Sequence, residues 1–259
     1  MKHRSSITVL LMVFVLLLPV SIAVAGCTTA QNDSKTVFIA GSFGALSRSV
    51  YDGEITLGEL KRHGDFMLGT TNGIDGELIG LDGKYYRIGA QGKISPADDS
   101  WKTPWASATF LKVDKVVTVD KELTWEQLKE YLTSQLPTQN IFYAMKISGT
   151  FSYLKARSLT KLNRPYPTTP YATISQNEPT FEFNNVDSTL VTFFSPSCIG
   201  DLNYPGYHAH FINSGNNYGG HVLDCRITKG SVEIGYAPNL TVNLPQNSEY
   251  YKLDFSKPK

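Results

Sequence analysis

Short segments in which hydrophobic residues alternate with polar ones, or run together, occur along most of the chain and predict β-strands. An Asp82-Gly83 dipeptide between two of these segments is typical of a tight hairpin turn. Near the start of the predicted globular part, the apolar segment 37–40 fits either a strand or the start of a helix. Further strands are expected at 77–81, 84–88, 108–119, 141–147, 150–158, 180–183, 189–194, 207–213, 218–227, 231–236 and 240–243.

Two segments have helical spacing instead, and each follows a capping box. Thr56 with Glu59 predicts a short helix over 57–63, with His63 facing solvent in its last turn. Thr124 with Gln127 predicts a second helix over 125–136. The expected fold class is therefore α+β, in two strand-dominated halves. A mixed sheet with helices occupies the N-terminal part, and a smaller antiparallel β unit occupies the C-terminal part.

Three prolines, Pro165, Pro167 and Pro170, form a rigid connector that is the best candidate for a domain boundary. The division predicted from it is an N-terminal α/β domain over 35–166 and a C-terminal β-rich domain over 167–259. A chain of this length suffices for one large domain or two small ones.

Histidines concentrate in one predicted hairpin, at 207–223, which belongs to the second half. His208 and His210 lie two residues apart, so they share a face of a strand. If Gly215 and Asn216 form a two-residue II′ turn, His210 lies opposite His221 on the same face. Three imidazoles then converge, unless a bulge at 219–220 shifts His221 off that face.

Three neutral imidazoles around one point form a site for Zn²⁺ or another borderline divalent ion. The alternative is a hairpin whose histidines make separate polar contacts. A cupin-like dioxygenase also uses H-x-H and a later histidine, but that motif needs a glutamate shortly after the second histidine, and residues 211–217 contain none.

Two charged residues outside the hairpin interrupt apolar patterns. Glu77 shares its strand face with Ile79 and Leu81, and it is either paired with a partner or half-solvated at the strand end. Arg157 alternates with aromatic residues and Lys155 on one face of the 150–158 segment. That face is either a wall for binding an anion or a solvated edge strand.

The N-terminus has the features of an export signal: a basic start, a long apolar run, and Val24-Ala25-Gly26 before Cys27. These last four residues resemble the lipobox of bacterial-type lipoproteins. Residues 1–26 are therefore predicted to be a signal peptide, and 27–34 a tether lipidated at Cys27. The protein would be an exported, membrane-anchored lipoprotein outside the cytoplasm. The alternatives are a secreted protein and an apolar run retained as a membrane anchor.

Composition narrows the list of partners. Without residues 1–26 the basic and acidic residues nearly balance, so nothing indicates nucleic acid as a partner. Lipidation of Cys27 would leave Cys198 and Cys225 either as a disulfide pair or as two buried thiols.

A set of short motifs, weak singly but specific in their joint order and spacing, resembles the α-acetolactate decarboxylase family from about residue 37 to residue 253. They are YDG at 51–53, TLGEL at 56–60, HGDF at 63–66, LGT at 68–70, DGE at 75–77, LDGK at 81–84 with Tyr86, KARS at 155–158, PYP at 165–167, PGYHAHF at 205–211 and GGHVLD at 219–224.

The resemblance implies a zinc enzyme, a carboxy-lyase of acetoin biosynthesis, that converts 2-acetolactate into acetoin and CO₂. It implies that His208, His210 and His221 are zinc ligands, and that Glu77 and Arg157 are the essential active-site carboxylate and guanidinium. It also implies two domains with the metal near their interface, and often a homodimer.

The chemistry implied by the resemblance is the loss of CO₂ from a β-keto acid. The metal would chelate the ketone and hydroxyl oxygens and stabilise the enediolate until it is protonated. Arg157 would hold the carboxylate or a metal-bound oxygen. Glu77 would be the proton donor or a further ligand beside the metal, and the residues leave these two roles open.

One departure from the family pattern qualifies this expectation. Family members often continue into a longer acidic tail that can contribute a carboxylate near the site, whereas the last acidic residues here include Glu249, a weak candidate for that role. The alternative function is an extracytoplasmic metal- or solute-binding lipoprotein without turnover.

Mass spectrometry of the mature N-terminus tests the export prediction. Cleavage after Gly26 and acylation of Cys27 are expected, because small residues precede the cysteine. A mature chain that retains residues 1–26 would instead indicate a membrane anchor.

Overall fold

Two β-sheets and five short α-helices are the main elements of residues 34–257, the part of the chain that this computed structural model describes. The strands are β1 (Thr36–Gly41), β2 (Phe66–Thr70), β3 (Glu77–Leu81), β4 (Lys84–Ile88), β5 (Ile94–Pro96), β6 (Trp105–Thr109), β7 (Lys115–Val119), β8 (Leu123–Thr124), β9 (Phe142–Arg157), β10 (Thr180–Ser195), β11 (Gly206–Asn213), β12 (Gly219–Ala237) and β13 (Asn239–Asn243). The helices are α1 (Phe43–Ser47), α2 (Leu57–Leu60), α3 (Trp125–Ser134), α4 (Tyr171–Gln176) and α5 (Ser248–Tyr251). The predicted α+β class is confirmed.

The predicted signal peptide at 1–26, the lipidation site Cys27 and almost all of the tether lie outside the described residues. Across residues 34–257, every helix is too short or too polar to cross a membrane.

The first sheet has the strand order β13-β1-β6-β2-β3-β4-β5, and it is mixed because β13 runs parallel to β1. The predicted hairpin of β3 and β4 is confirmed, with Leu81 opposite Lys84. Asp82 and Gly83 have φ angles of 52° and 76°, as a type I′ turn requires.

The first predicted helix is shorter than expected. The Thr56 side chain caps α2 by accepting from the backbone N–H of Glu59 at 3.1 Å, but α2 ends at Leu60. His63, which was predicted to face solvent, is half-buried, because its ring stacks on Phe38 with centroids 3.8 Å apart.

The second sheet is antiparallel and consists mainly of long strands. Its order is β11-β10-β9-β12-β7, and β11 also pairs with β12. Strands β9, β10, β11 and β12 therefore form a closed ring of paired strands. Segments predicted as separate strands are continuous here, as in β9, β10 and β12. The expected strand over 108–119 is wrong, because residues 110–114 carry the chain from β6 in the first sheet to β7 in the second.

The division of the chain at 166–167 stays a prediction. Strand pairing runs across it in both directions. β7, β8 and β9 precede it and belong to the second sheet, whereas β13 follows it and pairs with β1 of the first.

A shared hydrophobic core joins the two sheets. Ile39, Phe66 and Ile79 of the first sheet pack in one cluster with Phe193 and Ile212 of the second. A second cluster packs α3 against the second sheet, where the apolar side of α3 is buried as its spacing predicts. The capping box ahead of α3 is confirmed, with both reciprocal hydrogen bonds present.

Gly219 and Gly220 lie where β12 passes close to its neighbours. A Cβ at Gly220 would lie 2.7 Å from the carbonyl oxygen of Arg157, and one at Gly219 would lie 2.6 Å from the carbonyl oxygen of Phe211. Phe211 pairs with Gly220 and Ile212 with Gly219 without a shift in register, so the possible bulge does not occur at this point. The register shifts of β12 against β9 begin later, after Val222.

Gly220→Ala is expected to lower the free energy of unfolding by about 1–3 kcal/mol, because the new methyl group would push β12 away from the backbone of β9. Urea denaturation measures the change. Gly89→Ala is the matched control, since its Cβ would meet the flexible end of Arg87 at 3.4 Å. Equal stability of the two variants would contradict the close approach at Gly220.

Candidate functional site

The hairpin of β11 and β12 has the predicted register, with His210 directly opposite His221. Its turn differs from the prediction. The positive φ angle is at Asn216, at 51°, and the Asn216 N–H donates to the carbonyl of Asn213 at 2.8 Å. A II′ turn would need the positive φ at Gly215. The register is unchanged because the connection at 214–217 has the same centre as the two-residue turn.

The three histidines converge. His208, His210 and His221 each offer a ligand nitrogen, and these atoms all lie within 4.8 Å of one another. Nε2 of His208 and Nδ1 of His221 are 3.0 Å apart. Two imidazole nitrogens on one tetrahedral zinc ion lie about 3.3 Å apart, so the spacing fits a shared ion. That these residues bind a metal stays a prediction.

A hydrogen bond fixes the orientation of His210. Its Nδ1–H donates to the carbonyl oxygen of Leu78 in β3 at 2.7 Å, which leaves the Nε2 lone pair directed into the cluster. His210 is fully buried, and its Nε2 has no hydrogen-bond partner among the described residues. Nδ1 of His208 is a second buried nitrogen without a partner. Buried polar atoms without partners are costly, and a cation bound at the cluster would satisfy Nε2 of His210.

The surroundings of the three imidazoles favour their neutral form. Burial, followed by repulsion from neighbouring histidines and Arg157, lowers the pKa of His208 and His221 well below the usual value. Burial lowers the pKa of His210 to about 3. Neutral imidazole is the form that binds a metal, so the donor set fits a borderline divalent cation.

Glu77 reaches the histidine cluster from the first sheet. It is only 3% exposed, which excludes the half-solvated alternative. Its Oε1 accepts a hydrogen bond from Nη1 of Arg157 at 2.9 Å, and its Oε2 lies 3.5 Å from Nε2 of His210. Burial raises the pKa of Glu77 to about 7, although Arg157 opposes the shift.

Arg157 lies at the end of β9, where it pairs with His221 on one side and Thr180 on the other. It is therefore in the interior of the second sheet, and the solvated edge-strand alternative is wrong. The anion-binding wall is only partly as expected. Lys155 contacts Glu182 at 3.5 Å, and it is not among the residues that line the cavity described next.

A cavity of about 780 Å³ opens beside the cluster. Arg157, His208 and His221 line it, whereas Glu77 and His210 lie behind them. Most other lining residues are aromatic, polar or small, and they include Phe43, Trp125, Lys129, Tyr171, Glu178, Tyr204, Tyr207 and Leu223.

Sequence reasoning missed Tyr171 and Glu178, which α4 and the turn after it bring to the cavity. The Pro-rich segment before α4 gave no capping or periodic signal, so the position of α4 was not predictable.

Glu249 is not among the residues that line the cavity, and it pairs with Arg164 at 3.1 Å. Cys198 is exposed and Cys225 buried, and both are free thiols, so the predicted alternative of a disulfide between them is wrong.

Comparisons with known proteins identify the family of this chain. The sequence model of the family described as "Alpha-acetolactate decarboxylase" matches residues 37–257. A protein of that name from Methanosarcina mazei is 37% identical over 88% of this chain and 78% of its own length. Another from Brevibacillus brevis is 36% identical over 91% of this chain and 81% of its own length.

A solved structure gives the same answer for the fold. The crystal structure of alpha-acetolactate decarboxylase from Bacillus subtilis superposes with a TM-score of 0.83 at 34% sequence identity, covering 86% of this chain and 94% of that one. The match therefore extends over nearly all the described residues. The chain belongs to the alpha-acetolactate decarboxylase family, a family of carboxy-lyases.

Proposed function

We propose that the protein catalyses the zinc-dependent decarboxylation of 2-acetolactate to acetoin and CO₂. The observation that carries this proposal is the position of three neutral, converging histidines beside the buried Glu77–Arg157 pair at one cavity. Family membership supports the substrate and the reaction. The nitrogen donor set supports a borderline divalent ion such as zinc, held by His208, His210 and His221.

Zinc, when bound, would supply a Lewis acid that stabilises negative charge left on the ketone oxygen of the substrate as CO₂ departs. Apolar side chains such as Phe43, Trp125 and Leu223 line part of the cavity, and a low-dielectric surrounding would strengthen the electrostatic effect of the charged side chains there.

Arg157 is proposed to bind the substrate carboxylate. Its Nη1 is engaged by Glu77, but a guanidinium carries five N–H donors in a planar fork. The donors that remain can bind an anion in the cavity that Arg157 lines. The cationic Arg157 then orients the carboxylate before the bond to the adjacent carbon breaks.

Glu77 is proposed to donate the proton that completes the reaction. When CO₂ leaves, the electron pair of the broken C–C bond stays on the remaining fragment, and a proton must reach its carbon to give acetoin. Oε1 of Glu77 accepts from Arg157, so Oε2 is the oxygen that can carry a proton on the side of the histidines. Burial favours the protonated carboxyl, and water would return the proton after each turnover.

Acetoin formation and zinc content, measured together, test the proposal most directly. The purified protein is expected to form acetoin from racemic acetolactate above the spontaneous rate and to contain about one zinc per chain, since three histidines form one site. His210→Ala is expected to lose both, measured by acetoin assay and metal analysis. His63→Ala is the matched control, because His63 stacks on Phe38 away from the cluster.

Zinc without acetoin from the unsubstituted protein would overturn the decarboxylase proposal and favour a binding protein. A folded protein with neither zinc nor acetoin would show that the histidines are not a metal site.

Glu77→Gln separates the two roles that the sequence left open for this residue. The amide keeps the shape of the side chain but is not an acid, so kcat is expected to fall at least about 100-fold while zinc content stays unchanged. Glu182→Gln, on the exposed contact with Lys155, is the control and is expected to retain activity. Loss of zinc from Glu77→Gln would instead assign Glu77 a role as metal ligand.

We also propose that the protein acts outside the cytoplasm, held at the membrane by a lipid on Cys27. The residues before Cys27 support this location, and the mass of the mature N-terminus tests it.

A further inference from the structure

His208 and His210 are held in different ways. Nδ1 of His210 bonds to the carbonyl oxygen of Leu78 at 2.7 Å, which is the usual way of orienting an imidazole that binds a metal. Nε2 of His208 lies 3.0 Å from Nδ1 of His221, so it is the nitrogen directed at the cluster. The other nitrogen of His208, Nδ1, is buried and has no hydrogen-bond partner among the described residues. The plane of the His208 ring must therefore be fixed by packing.

Aromatic rings contact His208 on two sides. The indole of Trp105 stacks on it, with centroids 5.3 Å apart and planes inclined by 11°. The ring of Tyr204 meets it edge-on, with centroids 5.5 Å apart. Phe43 packs edge-on against both Trp105 and Tyr204, at 5.3 Å and 5.4 Å between centroids. Offset stacking and edge-on packing are the geometries that aromatic rings favour, so Trp105 and Tyr204 form an aromatic clamp on His208.

The first sheet fixes the position of Trp105. This residue begins β6, and it pairs with Gly41 of β1 on one side and Thr70 of β2 on the other. The approach of β2 is close, because a Cβ at Gly69 would lie 2.6 Å from the carbonyl oxygen of Trp105. The indole N–H is buried and has no hydrogen-bond partner among the described residues, which is costly. What Trp105 contributes is therefore the flat face of its ring.

Asn203 fixes the position of Tyr204. Nδ2 of the buried Asn203 donates to Oγ of Ser107 in β6 and to Oγ of Ser195 at the end of β10, at 3.1 Å in both cases. Oδ1 of Asn203 accepts from the backbone N–H of Tyr204 at 2.9 Å. The backbone of Tyr204 is thus tied through Asn203 to both sheets, and both halves of the clamp have a defined position.

We propose that Trp105 and Tyr204 are positioning residues for His208. By holding the plane of its ring, the clamp keeps Nε2 directed at the point where the three histidines converge and raises the affinity of the cluster for a borderline divalent ion. This inference rests on the proposed function of the site, because it needs a divalent ion at the histidines, but it does not depend on the decarboxylation.

The zinc Kd of the full-length protein, measured by competition with a chromogenic chelator, tests the inference. Trp105→Leu removes the flat ring face and is expected to raise the zinc Kd about tenfold, because a ring that is free to rotate must be ordered when the ion binds. Trp105→Phe keeps an aromatic face and is expected to stay within about threefold of the unsubstituted protein.

Tyr204→Leu tests the other half of the clamp and is expected to raise the zinc Kd about fivefold. Tyr204 is 45% exposed, so its replacement perturbs the core little and decides the question even where Trp105→Leu does not fold. Cobalt(II) bound in place of zinc has a visible spectrum that reports the ligand geometry. This spectrum is expected to shift in both leucine variants.

Phe142→Leu is the matched control for a loss of buried aromatic packing. Phe142 is buried in the same core cluster as Trp105, but it begins β9, whereas the site lies where β9 ends. The variant is expected to unfold at a lower urea concentration, as Trp105→Leu does, while its zinc Kd stays within about twofold and its cobalt spectrum is unchanged.

An unchanged zinc Kd in the leucine variants of the clamp would overturn the inference. An equal loss of affinity in Phe142→Leu would also overturn it, and so would a tenfold loss in Trp105→Phe. Absence of acetoin from an unsubstituted protein that binds zinc would refute the decarboxylase proposal alone, since the zinc Kd values of the variants would still decide the role of the clamp. An unsubstituted, folded protein that binds neither zinc nor cobalt would refute the inference.

Discussion

The ion pair of Glu77 and Arg157 is the interaction on which the site depends. Glu77 begins β3 in the first sheet and Arg157 ends β9 in the second, so the pair links the two sheets across their shared core. Removing one partner from a buried ion pair costs about 3–5 kcal/mol, because the other charge is left without compensation. The first sheet makes a second link at the same place, through the hydrogen bond from His210 to Leu78.

The two sheets supply different parts of the site. The closed strands of the second sheet bring the three histidines and Arg157 together, because β12 pairs with both β11 and β9 around His221. Of these residues, His208, His221 and Arg157 line the cavity. The first sheet supplies the carboxylate and the carbonyl that orient them from behind. Each sheet therefore contributes polar groups to the site, although the core between the sheets is otherwise apolar. The buried charges and imidazoles of the site each have at least one hydrogen-bond partner.

Glu249, which the sequence offered as a weak candidate for a carboxylate near the site, pairs with Arg164 instead. The carboxylate that does line the cavity is Glu178, on the segment that also carries Tyr171. This segment is held by Asp52 through Arg164 and Tyr166, so the chain's own connector forms the outer wall of the cavity.

The sequence by itself determined the elements whose signals are local. Alternation placed His208 and His210 on one face, the Gly- and Asn-rich centre set the register to His221, and Thr124 with Gln127 placed α3. Tertiary structure decided what depends on distant pairing. The burial of Glu77, the interior position of Arg157 and the approach of Tyr171 follow from contacts between residues about 80 positions apart or from an anchored loop. No local periodicity encodes such contacts, because they arise only when the two sheets pack together.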